Sequence, residues 1–112
     1  MAEKDLVENA GSFLRSAKRV YADGDFTSAA ILFFKALFVI LDIIILRELG
    51  KTPKDHSERF QILKSRFPDI YTALDKLYPT YRDTYTLRIE KEACDRIRKN
   101  VESIAEKHKI LA

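Results

Sequence analysis

The sequence predicts an all-α domain, an up-and-down bundle of four to five helices. Three observations carry that expectation. No stretch alternates apolar and polar residues at period two over a useful length. Apolar residues instead recur at spacings of three and four along most of the chain. Three glycines and three prolines divide the 112 residues into segments of helical length.

The first helix rests on Leu6, Ala10, Phe13, Leu14, Ala17 and Val20, which share one face. Asp5 and Glu8 have the spacing of a capping box at its start. Arg15, Lys18 and Arg19 form a basic, solvated end. Gly24 closes the helix, and Asp25 is placed to cap the next.

The second helix runs to Gly50 and is the most apolar part of the chain. From Ala29 to Leu46 there are eighteen residues, and only Lys35 and Asp42 among them are polar. A membrane span needs about 20 apolar residues, and each central charge costs about 2.5–3.5 kcal/mol on insertion scales. The segment is therefore read as a bundle helix buried on several sides, with no membrane crossing. Ser28, Lys35 and Asp42 are seven apart and fall on one stripe. Lys35 and Asp42 are two turns apart, too far to pair directly, so each is expected to meet a partner from another helix or subunit. Phe34, Phe38, Leu41 and Ile45 form a second stripe. They are the expected interface of a homodimer, because a chain of this size has few neighbours to cover so apolar a helix.

"KTPKDHSERF" is the first loop, and Asp55 with Glu58 repeats the capping-box pattern. Phe60, Leu63 and Phe67 line a short third helix. Pro68 suits the first turn of a fourth, whose apolar face is Ile70, Ala73, Leu74 and Leu77. Pro79 is expected to end it. From Thr80 onward Tyr81, Tyr85, Ile89, Ala93, Ile97, Val101, Ile104 and Ala105 predict one long last helix, loosened at "TYTL" by threonines.

Composition narrows the function classes. Hydrophobic residues are 46% and charged residues 33%, which describes one globular domain over residues 1–112. A net charge of +3 permits nucleotide or nucleic-acid binding without arguing for it. Cys94 is the single cysteine, so no disulfide closes within the chain, and it reads as a small core residue. With two histidines, His56 and His108, no zinc-site spacing exists. No metal and no cofactor are expected. "MAEKDLVENAG" lacks the apolar core of a signal peptide, so a cytoplasmic location is expected.

"GDFTSAAILFFKAL" resembles a tetratricopeptide helix and its preceding turn, with Gly24, Phe26, Ala29, Phe33 and Ala36 in the turn and packing positions. No second copy follows at the repeat period. A resemblance covering most of the chain lies in "AAILFFKALFVILDIII", then "GKTPKDHSERFQIL", then "YRDTYTLRIEKEACDRI". These segments resemble the HEPN family (higher eukaryotes and prokaryotes nucleotide-binding). The resemblance implies a small five-helix bundle, often dimeric, that binds RNA or nucleotide. Some members work beside a small nucleotidyltransferase in a toxin–antitoxin pair. Ribonuclease members carry an arginine and, four to six residues on, a histidine. Here Arg82 is followed by Asp83, but Arg88 stands where the histidine would be. Arginine stays protonated and cannot serve as a general base, though it can hold a phosphate. Binding is therefore expected, with ribonuclease activity weak or absent. The candidate binding residues are Arg82, Asp83, Tyr85, Arg88 and His56. The alternatives are an anion-binding pocket for phosphate or RNA, or a helix surface laced by Arg88–Glu92 and Glu92–Arg96 pairs. Tyr71, Tyr78, Tyr81 and Tyr85 offer aromatic surface that could stack a base or pack between helices. The competing functions are a helical protein-interaction module and a ribonuclease with an altered site.

Overall fold

The computed structural model describes residues 3–110. Five helices follow in order: α1 (Glu3–Ala22), α2 (Phe26–Leu49), α3 (His56–Arg66), α4 (Pro68–Asp83) and α5 (Lys91–Lys107). No strand occurs among the described residues.

α1 and α2 form a close antiparallel hairpin. Ala10 and Ala17 on α1 and Ala29 and Ala30 on α2 are all fully buried. Methyl-sized side chains let the two backbones approach, and packing then covers the longer residues around them. The turn between the helices depends on Gly24, whose φ of 83° lies in the left-handed region that glycine adopts without strain. The Asp25 carboxylate then accepts from the Ser28 N–H at 3.1 Å and caps α2. Gly50 ends the helix with φ 78°, donating its N–H to the Leu46 carbonyl.

α2 is the axis of the bundle. By length and composition it could cross a membrane, yet 67% of its most apolar window is buried inside the fold. Phe34, Leu41 and Ile45 are fully buried and Phe38 nearly so. The expectation of an uncovered stripe is thereby corrected. All four are enclosed within one chain: Tyr81 of α4 packs on Phe34 and Phe38, and His56 and Arg59 of α3 pack on Phe38. They are core positions, so a homodimer needs a different surface. The polar stripe behaves as expected at Asp42, which meets Arg59 of α3. Lys35 is exposed and enters no ion pair among the described residues.

Two helix boundaries differ from the sequence expectation. α1 already includes Glu3, so Asp5 lies inside its first turn and caps nothing; both carboxylates face the positive end of the helix dipole. The larger difference is at Pro79. α4 continues through Pro79 to Asp83. An interior proline forfeits one backbone hydrogen bond and costs about 3 kcal/mol. Here Asp75 and Pro79 are both exposed, so water can solvate the freed carbonyl. The continued turn sets Tyr81 on Phe34 and Phe38, with ring centroids 4.9 and 5.6 Å apart. These ring contacts act against the backbone loss.

The expected long last helix is consequently two helices. Residues 84–90 form a turn and an extended segment. The Thr84 hydroxyl donates to the Tyr81 carbonyl at 2.6 Å, competing with helix continuation. The Ile89 N–H donates to the Thr27 hydroxyl at 2.9 Å and ties the segment to the start of α2. α5 then begins at Lys91 and buries Cys94, Ile97, Val101 and Ala105.

Candidate functional site

The site is assembled where α3 and the end of α4 meet the middle of α2. His56 is the first residue of α3. Asp55 precedes it as N-cap, accepting from the Glu58 N–H at 2.9 Å. Glu58 reaches back to the Lys54 N–H at 3.3 Å, one residue earlier than the usual box partner. This local geometry fixes the entry of α3 and the direction of His56.

Arg59 lies one turn further on. It is nearly buried and grips Asp42 with two bonds, Nε to Oδ1 at 2.7 Å and Nη2 to Oδ2 at 3.0 Å. The paired fork is the strong form of this contact. The remaining Nη1 is within hydrogen-bond distance of His56 Nδ1. Phe38 supports both groups. The His56 ring meets it edge-on at 4.8 Å, and the Arg59 guanidinium lies 5.1 Å from its centroid.

From Phe38 a continuous row of rings leads outward. Phe38 touches Tyr81, and Tyr81 touches Tyr85 with centroids 6.0 Å apart. Tyr78 joins Tyr81 to Phe60. Tyr85 ends the row in solvent and is 75% exposed. The Tyr85 hydroxyl, and then burial, push Tyr81 up to about 12, so it stays neutral and protonated near pH 7. Burial, and then the Arg59 charge, lower the pKa of His56 despite Asp42 and Asp55 nearby.

The candidate residues separate into two places. His56, Tyr81 and Tyr85 belong to the ring row, with Arg82 exposed beside Tyr81 in the last turn of α4 and Asp83 half-buried. Arg88 lies in the extended segment before α5. It faces a polar groove of about 480 Å³ together with Asp25, Thr27 and Glu90. Its charge is a minor contributor to the lowered pKa of Asp25, after the two bonds with Ser28. Arg82 and Arg88 therefore do not share a helix. The Arg88–Glu92 and Glu92–Arg96 pairs do not form among the described residues, and neither Arg82 nor Arg88 enters an ion pair there.

The other residues singled out in the sequence have structural surroundings. Tyr71 lies under Lys64, 5.9 Å from its ring. Cys94 is buried, which pushes its thiol up to about 11. The His108 carbonyl accepts from Arg47, which also holds Glu3. A second groove of about 510 Å³, bounded by Leu14, Ala105 and Ile110, contains none of the candidate residues. No cluster of three His, Cys, Asp or Glu side chains suited to a metal occurs among the described residues.

Arg59 is the site residue that sequence reasoning missed. Two signals pointed to it. It stands four residues before the buried Leu63 and three after His56, on one helical face. Asp42, inside an apolar helix, also required a cation.

Comparison with protein-family models, with curated proteins and with solved structures gave no match.

Proposed function

We propose that this protein binds RNA or a nucleotide through the exposed end of the tyrosine row. The observation that carries the proposal is Tyr85. It is 75% exposed, backed by Tyr81 and close in sequence to the two exposed arginines that lack ion-pair partners. An exposed ring held by other rings loses little entropy on stacking a base. Unpaired guanidinium groups suit phosphate oxygens. The overall HEPN resemblance supports the same ligand class and adds a homodimer beside a small nucleotidyltransferase, in a toxin–antitoxin-like pair. Arg88 in place of a histidine favours binding without cleavage.

The test is titration of a single-stranded RNA and of ATP into the wild type, Tyr85→Ala and Arg82→Ala/Arg88→Ala. Loss of a stacking ring is expected to weaken binding by about 1–3 kcal/mol. Equal affinity in all three proteins would overturn the proposal.

One observation favours a second use of this surface. Leu87 beside Tyr85 is 59% exposed and has no role in stacking. A helical protein-interaction module would use both residues, and capture of a protein partner that Leu87→Ser abolishes would select that function.

A further inference from the structure

The Asp42, Arg59 and His56 side chains form a chain of contacts running from α2 into α3 and out to solvent. Each link constrains the next. The Asp42 carboxylate takes two of the Arg59 donors. This leaves Nη1 directed at His56 Nδ1. Arginine has donors only, so the imidazole nitrogen facing it must be the acceptor. In neutral imidazole the other nitrogen then carries the proton. His56 is exposed, and Nε2 has no protein partner among the described residues.

We infer that Asp42 and Arg59 are positioning residues that hold His56 as a neutral Nε2–H tautomer, a fixed hydrogen-bond donor to an oxygen of the ligand. This rests on the nucleic-acid reading above and adds how that site makes one polar contact. A general base needs a free lone pair, and Arg59 occupies the one His56 has. An imidazolium would place a second cation against the Arg59 guanidinium. Phe38 beneath both groups supplies no charge. The charged groups facing His56 are Asp55, the N-cap of α3, Arg59 from α3 and Asp42 from α2; Asp42 is committed to Arg59. From α4, Tyr81 packs on Phe38 and is neutral. The contribution of His56 to binding should therefore be flat above about pH 7.5 and weaken only as pH falls through its lowered pKa.

The lock is tested by nitrogen NMR of the His56 ring, which distinguishes a bare from a protonated nitrogen. Bare Nδ1 and protonated Nε2 are expected in the wild type at pH 7. In Asp42→Leu/Arg59→Met, which removes the pair together, a mixture of tautomers is expected. A protonated Nδ1 in the wild type overturns the lock, and needs no mutant to fold. The donor role is tested by oligouridine binding. His56→Gln keeps an N–H and is expected to bind within about twofold of wild type, whereas His56→Leu should lose about fivefold, the size of one net hydrogen bond. Equal binding by His56→Leu overturns the donor role. If the wild type binds neither oligouridine nor the single-stranded RNA and ATP used above, the nucleic-acid reading and the donor role both fall. The tautomer measurement still decides the lock.

Discussion

Arg59 and Asp42 form a bidentate ion pair, 2.7 and 3.0 Å long, that joins α3 to the central helix through the apolar core. Their side chains are only 10% and 17% exposed. Removing one partner leaves a poorly solvated charge, which costs more than the pair contributes. Asp42→Ala is expected to lower stability by about 2–4 kcal/mol, and Asp42→Leu/Arg59→Met to recover most of that loss. Urea denaturation of the three proteins measures both effects. A double variant less stable than the single one would show that the pair is a true source of stability.

Stability should fall with pH before any carboxylate titrates. Burial lowers the pKa of both His56 and His108 from the ordinary 6.5. The unfolded chain then binds more protons than the folded chain below that value. The contribution is complete above pH 6.5 and is lost progressively as pH falls beneath it. Melting temperatures at pH 7.5 and 5.5 should differ for the wild type and differ less for His56→Asn. A wild type with identical melting points at the two pH values would contradict this.

The stripe on α2 makes a further distinction between core and interface. Leu41 is fully buried in one chain. Leu41→Ala should therefore cost about 2–5 kcal/mol through lost transfer energy and a cavity. The loss should not depend on protein concentration, as it would if Leu41 bridged two subunits. Denaturation at two concentrations, with light scattering for the assembly state, decides between them.

Gly50 can be tested independently of the site. Its φ of 78° disfavours any side chain, although a Cβ there would meet nothing within 4 Å. Gly50→Ala is expected to destabilise by about 1 kcal/mol, and Gly50→Asn by less, since asparagine tolerates the left-handed region better. Thermal unfolding of the two variants gives the comparison.

RNA binding, where it occurs, should weaken steeply with salt. Phosphate contacts release counterions, with a logarithmic slope of about −0.7 per contact for single strands. Removing Arg82 and Arg88 should flatten the slope by about two contacts. An unchanged slope would place both arginines outside the interface.

The sequence by itself determined the all-helical class, the first four helix starts to within a few residues, and the caps at Asp25, Gly50 and Asp55. These are local properties: periodicity, capping side chains and left-handed glycines act over one or two turns. It also marked His56, Tyr85 and Arg82 as residues worth placing. Only the tertiary structure decided how α4 ends. A proline read locally stops a helix, but contacts of Tyr81 with Phe34 and Phe38, more than forty residues away, carry α4 past Pro79. It likewise decided that the stripe from Phe34 to Ile45 is core. Whether an apolar face is covered depends on where the later helices return, which no local pattern encodes. The partner of Asp42 belongs to the same class. Seventeen residues separate it from Arg59, and a side chain that far along the chain becomes a neighbour only when the helices pack.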